Sequence, residues 1–268
     1  MKKNVILVVI GHFQNYILTN IKQLLTLGYK PHVILDLHFF PFLEKFEKDV
    51  VLIDAASLIT NYDKETHFPD GFWKYCSKRL FLVYEYMKKE NLENVIHLEN
   101  DVLLYSTMDY PFDENIYLTM DSASRCIPGI IFIPNYKLLT NLVENYDFGR
   151  NDMVNMALFY RENNDIVKTF PIIDDSVEVS MYNENFNQFN SIFDGAAIGQ
   201  FLGGTHGVPD TAFVNETCEI KYDKYNFEWV KKDKFLVPYI KINDKLILIN
   251  NLHIHSKNLE KFSIYRPS

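Results

Sequence analysis

The 268-residue sequence has only three cysteines, Cys76, Cys126 and Cys218, with no C-x-x-C pair among them. An odd number at that spacing supports neither a disulfide framework nor a structural zinc site, and a reducing compartment is the expectation. No run approaches the roughly 20 consecutive apolar residues of a membrane-spanning helix. The apolar run after Lys2 and Lys3 lacks a small-residue cleavage site and gives way at once to Gly11 and His12, so it reads as a first strand rather than a leader. A soluble, cytoplasmic protein is expected. Positive charge is also scarce. The formal net charge is −8, no long Lys/Arg patch offsets it, and a nucleic-acid surface is therefore not expected. The phosphate loop G-x-x-x-x-G-K-[ST], the dinucleotide fingerprint G-x-G-x-x-G and the nucleophile elbow G-x-S-x-G are all missing, which disfavours P-loop kinases, dehydrogenases and serine hydrolases. Repeats, low-complexity tracts and a linker-like break are absent too, so residues 1–268 are read as one domain.

What is present suits a large α/β core. Hydrophobic residues make up 47% of the chain, with 21 Phe and 17 Tyr. Residues 5–10 form a buried-strand pattern. Residues 15–27 follow helical spacing with Ile17, Leu18, Ile21, Leu24 and Leu25 on one face, and Gly28 ends the helix. Strands are expected at 31–35 and 50–53, ending at Asp36 and Asp54. These elements imply parallel strands with a nucleotide-sized crevice over their C-terminal edge. Asp36 and Asp54 are candidates to accept hydrogen bonds from a base or ribose there. As ordinary turn or N-cap residues they would do neither. A polar loop at 61–71 precedes a helix at 72–89 whose inward stripe is Leu80, Val83, Tyr84 and Met87.

The central stretch is His97-Leu98-Glu99-Asn100-Asp101-Val102-Leu103. A short apolar strand, 94–98, delivers Glu99 and Asp101 at its C-terminal end. Two carboxylates at i and i+2 can point the same way, an arrangement that suits a hard divalent cation, Mg²⁺ or Mn²⁺. The alternative is a solvated acidic turn. Further strands are expected at 116–120 and 129–135, helices at 138–146 and at 152–161 with Asp152 as its cap, and a mobile Asn-rich loop at 174–190. Asp194 precedes a small-residue helix and either faces an acceptor or serves as an N-cap; residues 203–207 make a turn. The last sixty residues read as antiparallel strands at 218–222, 227–230, 235–240 and 245–249. They end in His253-Ile254-His255-Ser256-Lys257, where a strand would put both histidines on one face. Either histidine could complete a metal site, and Lys257 could place its charge on a phosphate.

In combination these motifs resemble the GT-A fold glycosyltransferases, in particular the glycogenin and lipopolysaccharide galactosyltransferase group. Tyr75 to Leu82 followed by Val95 to Val102 is similar to that group's Y-x-R-L helix leading to a strand that ends in Y-L-D-x-D. Residues 128–135 resemble its N-A-G-V-L-L-I-N strand, 194–200 its D-Q-D helix start, and His255 with Lys257 its terminal H-F-x-G-x-x-K at a shorter spacing. Residues 193–204, 213–218 and 251–262 look like glycosyltransferase-like sequences of large DNA viruses and some bacteria, which implies a host cytoplasm where the source is viral. The resemblance implies an α/β fold with a Rossmann-like mixed sheet, flanked by helices, and a small antiparallel C-terminal part. It divides the domain into a nucleotide-sugar half, 1–125, and an acceptor half, 126–268. It implies transfer of a sugar from a nucleotide diphosphate sugar, a UDP-sugar above all, to a glycan or other hydroxyl acceptor. Glu99 and Asp101 would stand at the D-x-D positions holding Mn²⁺ or Mg²⁺, with a Glu where the family has Asp. His255, or its rival His253, would complete the metal set. Arg79 and Lys257 would bind the donor, and Asp194 would act as base if the enzyme inverts; retention is equally open. The alternatives are a catalytically inactive nucleotide-sugar or glycan-binding module of the same fold, and a sugar nucleotidyltransferase.

Overall fold

The computed structural model describes residues 4–58, 72–205 and 215–264. The loop expected at 61–71 and the end of the turn at 203–207 lie outside the described residues. In chain order the first half contains β1 (Asn4–Val9), α1 (Ile17–Thr26), β2 (His32–Leu35), β3 (Val51–Asp54), α2 (Phe72–Glu90), β4 (Glu93–Leu98), β5 (Val102–Leu104) and β6 (Ile116–Ser122). Then come β7 (Arg125–Asn135), α3 (Thr140–Glu144), α4 (Asp152–Glu162), β8 (Val167–Thr169), α5 (Phe186–Phe189), β9 (Ser191–Ile192) and α6 (Ala197–Gly203). The chain continues through β10 (Asn226–Lys232), β11 (Phe235–Ile242), β12 (Lys245–Ile249), β13 (Asn251–His253) and α7 (Leu259–Phe262).

The architecture is the expected mixed α/β one. A seven-stranded sheet runs β3-β2-β1-β4-β7-β6-β8, and β10, β11, β12 and β9 form a smaller sheet. Strands β3, β2, β1 and β4 are mutually parallel, as the first strands predicted, while β7 runs antiparallel to both β4 and β6. The chain leaves β1 toward β2 on one side and returns as β4 on the other. That reversal opens a crevice at the C-terminal ends of β1 and β4, where open α/β sheets place ligands.

The helices bury the faces that their sequence spacing dictates. In α2, Leu80, Val83, Tyr84 and Met87 are buried as expected, and each fully buried aliphatic side chain contributes roughly 1.5–3 kcal/mol. In α1 the buried face is Ile17, Ile21 and Leu24 together with two amides, Asn20 and Gln23, while Leu18 and Leu25 are half-buried. Among the described residues no helix is long and apolar enough to cross a membrane.

Several local expectations are corrected. Residues 218–222 form bends and a turn rather than a strand. The cap of α4 is Asn151, whose side chain accepts from the Val154 N–H at 3.0 Å, because Asp152 is committed to Arg79. The stretch 174–190 is packed rather than draped over a ligand. It contains α5, buries Tyr182, Phe186 and Phe189, and is pinned by Asn183, which donates to the Asp174 and Val177 carbonyls at 3.1 Å. Strand β13 stops at His253, so the two histidines do not share a strand face.

Candidate active site

The acidic turn is built by three elements. Strand β4 ends at Leu98, and Glu99 donates its N–H to the Gly129 carbonyl of β7 at 2.9 Å. Asn20 on α1 donates to the carbonyls of Asn100 and Val102, each at 3.0 Å, so the turn's backbone is held from below. Asn100 reaches across to β1 and donates to the Val8 carbonyl at 2.8 Å. After Asp101 the chain enters β5, which pairs antiparallel with β13 in the register Leu103–Leu252 and Val102–His253. This pairing, together with the Ile254 N–H donated to the Asp101 carbonyl at 2.9 Å, brings His253 onto the two carboxylates.

His253 Nε2 lies 2.9 Å from Glu99 Oε2 and 3.3 Å from Asp101 Oδ2. Its Nδ1 lies 2.7 Å from the Gly195 carbonyl oxygen, which can only accept, so Nδ1 carries a hydrogen and Nε2 is the atom presented to the carboxylates. Glu99, Asp101 and His253 offer ligand atoms that all lie within 4.8 Å of one another. Two carboxylates and one imidazole, the imidazole oriented by a carbonyl on its far nitrogen, are a donor set that fits a divalent cation such as Mn²⁺.

Charge saturates the cluster. Arg79 on α2 touches Glu99 and lies 2.8 Å from Asp152 at the start of α4, while Lys257 touches Asp101. Burial pushes the Glu99 carboxyl up, but Arg79 and His253 outweigh it and hold it well below its usual range. Asp101 is likewise held low by His253 and Lys257 against its burial. Burial alone would lower His253, yet Asp101 and Glu99 carry it up to about 10. His97, the first residue of the motif, is buried in the core with Nδ1 on the Ile6 carbonyl at 3.1 Å, and burial pushes it down to about 4.

Of the other candidates, His255 lies beyond the strand, its ring 4.3 Å from that of His253 and its Nδ1 3.2 Å from the Gln200 amide nitrogen. Burial and the neighbouring His253 push it down to about 3. Asp36 accepts the Gly11 N–H at 2.7 Å and Asp54 the Ala56 N–H at 3.0 Å, the roles of turn and cap residues, and neither lines the cleft. Asp194 is 1% exposed. Its carboxylate accepts from the N–H groups of Ile198 (3.0 Å), Gly199 (2.8 Å) and His253 (2.9 Å), tying the start of α6 to β13. Burial pushes it up to about 6 against the pull of those three amides. The side chain is thus turned into the fold. Asp194→Asn would set an amide N–H₂ against a backbone N–H and is expected to lower the unfolding free energy by about 2 kcal/mol, read from the urea midpoint. A base standing free in the cleft would lose rate without that loss of stability.

The cleft above this cluster measures about 310 Å³, at the lower end of ordinary small-ligand pockets. Tyr16, Trp73 and Cys76 line one part of it, and Arg125, Ile127 and Met153 another. Asn20 and Arg125 were not singled out in the sequence, and Asp152 was read there only as a helix cap. A buried amide on the apolar face of α1 was the available signal for Asn20.

No protein-family model matches the chain, and no curated protein sequence matches it. Among solved structures, the glycosyltransferase GlyE of Streptococcus pneumoniae TIGR4 is similar at 13% identity and a TM-score of 0.42, covering 65% of this chain. The chain spans 46% of the length of that structure. A glycosyltransferase involved in glycosylation of the major capsid of PBCV-1 is similar at 10% identity and a TM-score of 0.36, with 62% of this chain and 81% of that one covered. Likenesses this distant assign no residue a role.

Proposed function

We propose that the cleft binds a nucleotide diphosphate sugar with a divalent cation, and that the protein is a glycosyltransferase. The observation that carries the metal reading is the orientation of His253, whose Nε2 is aimed at Glu99 and Asp101 while its other nitrogen is tied to a carbonyl. Without a proton or a cation on Nε2, a lone pair would face two carboxylates in a buried site. The resemblance of the Arg79 helix, the acidic turn and the terminal histidine segment to the glycogenin group extends the reading from metal and diphosphate to sugar transfer. Glu99, Asp101 and His253 would hold the ion. When bound, it supplies Lewis-acid stabilisation of the diphosphate leaving group.

The chain's own residues do the rest. Lys257 and Arg79 provide fixed positive charge beside the carboxylates, and in a cleft partly closed to water such charges stabilise developing negative charge without reorganising. Asp194 acts in this scheme as a positioning residue, since it holds the His253 backbone and the start of α6 together. The pairing of Glu99 with Arg79 and of Asp101 with Lys257 favours a second reading, a binding module whose acidic pair is already neutralised. Hydrolysis of a nucleotide sugar in the absence of acceptor separates the two.

The test is thermal stability against nucleoside diphosphates and nucleotide sugars, with and without Mn²⁺. A metal-dependent rise for one nucleotide is expected; no shift with any of them sinks the proposal. Proton accounting gives a second readout. A metal requires neutral imidazole, and His253 keeps its proton up to about pH 10 in the metal-free protein. Mn²⁺ uptake at pH 7.5 should therefore expel about one proton per ion, measurable by calorimetry in buffers of different ionisation enthalpy. The sign for stability follows from the raised value. In the metal-free protein the contribution of His253 is complete below its ordinary 6.5 and is lost as pH rises through about 10.

A further inference from the structure

We propose that Asp152 is a positioning residue of the metal centre: it takes Arg79 over from Glu99 when the ion arrives, and so sets the affinity for the ion without touching it. This rests on the metal reading of the cleft. Lys257, His253 and Arg79 hold the acidic pair, and each has to give way before a divalent ion can take its place. Lys257 touches Asp101, and its side chain is 34% exposed, so it can turn to water. His253 gives way by releasing the hydrogen on Nε2, since the imidazole then becomes a ligand itself.

Arg79 can do neither. A guanidinium keeps its proton in a protein. This one has only 12% of its side chain exposed, and its Nε is buried without a hydrogen-bond partner among the described residues. Left alone there, it would be an unpaired buried charge, which is strongly destabilising. Its contact with Glu99 runs from Nη2 to Oε1, while the other carboxylate oxygen, Oε2, faces His253 Nε2 at 2.9 Å. Glu99 therefore meets the ion with a permanent donor on one oxygen, unless Arg79 has another partner to turn to.

Asp152 is that partner. Its Oδ2 lies 2.8 Å from the same nitrogen, Nη2, so one group is shared between two carboxylates and passes to the second without a swing of the side chain. Asp152 is itself 2% exposed, its Oδ1 accepts the Met153 N–H at 3.0 Å, and among the described residues Arg79 is its one ion-pair partner. Asn151 already caps α4, and α4 packs against β7, so the carboxylate is held in place while its charge is left for Arg79. With the ion on Glu99, Arg79 would rest on Asp152 and stay in the cleft wall, which both residues line.

The experiment measures Mn²⁺ affinity without nucleotide, from the electron paramagnetic resonance signal of the free ion, for wild type, Asp152→Asn, Arg79→Gln and the variant carrying both. Asp152→Asn is expected to weaken binding by about 10- to 100-fold. In the Arg79→Gln background the same substitution should weaken it by less than about threefold, because no guanidinium is left to receive. A carboxylate acting only as a nearby negative charge would give the same factor in both backgrounds; that result, or no loss in Asp152→Asn, overturns the inference. A crystal structure of wild type with Mn²⁺ is a second readout that needs no variant to fold. Arg79 should remain on Asp152 with its contact to Glu99 opened beyond the roughly 4 Å of an ion pair. An Arg79 still on Glu99, or one that has left both carboxylates, sinks the proposal. If wild type binds Mn²⁺ and the two losses are equal, only the role of Asp152 falls; if wild type binds no Mn²⁺, the metal reading falls and takes it along.

Discussion

Asp101→Ala is expected to erase the metal-dependent stabilisation by nucleotide and to reduce sugar transfer by about a thousandfold or more. Asp101 is where the site's parts meet. Its carboxylate faces both His253 and Lys257, and its carbonyl accepts the Ile254 N–H that closes the β5–β13 join. In the wild type, a ligand at a hundred times its dissociation constant adds about 2.7 kcal/mol to stability. For a chain of this size that corresponds to a rise in Tm of roughly 5–10 °C. Without Asp101 the donor set shrinks to Glu99, which also touches Arg79, and the His253 imidazole 2.9 Å from it. The metal-free variant should still fold, because Lys257 is 34% exposed and can turn to water. Its His253 should titrate well below the wild-type value, since the first of the two charges that raise it is gone. A full metal-dependent shift in the purified variant would show that the ion, if bound, is held elsewhere.

Gly199→Ala is expected to lower the unfolding free energy by about 3 kcal/mol, a large effect for one added methyl group. A Cβ at this position would lie 2.0 Å from the His253 carbonyl oxygen and 2.7 Å from its carbonyl carbon, both backbone atoms, and 3.0 Å from Asp194 Oδ2. A flexible side chain could swing away, but these atoms can yield only if α6 or β13 moves. Since β13 carries His253, movement there misaligns the imbalance-sensitive contact between Nε2 and the carboxylates. The variant should therefore lose metal affinity as well as stability. Denaturant unfolding and Mn²⁺ titration check the two effects; a variant as stable as wild type would mean that the two elements sit further apart than described.

The sequence made the sheet legible because its central strands are short apolar runs that end in polar turns. Strand β4 and its acidic turn could be placed to within one residue, and the buried stripe of α2 was named correctly. Strands β5 and β8, three residues each, carry no periodicity of their own and exist because their neighbours pair with them. The same reason hid the choice between His253 and His255. Local alternation puts both on one face, and only the end of β13 and the carbonyl of Gly195, 58 residues earlier in the chain, set them apart. Asp152 looked like a cap because a carboxylate at a helix start usually is one. Its partner Arg79 lies 73 positions away, at a separation that no local pattern records. Arg125 carried no motif at all, and one of its partners, Thr217, lies 92 positions away.

The pairing of β5 with β13 has a temporal side. Leu103 and Leu252 are neighbours in space but lie 149 positions apart in the sequence (252 − 103), and contacts of that separation form late because a long loop must close first. During synthesis the carboxylates of Glu99 and Asp101 emerge long before the imbalance of their charge can be answered by His253 and Lys257. Until then Arg79 is the early partner, available from the preceding helix as soon as β4 docks. A chain interrupted before His253 would thus carry the acidic turn without the imidazole and the ammonium that face it.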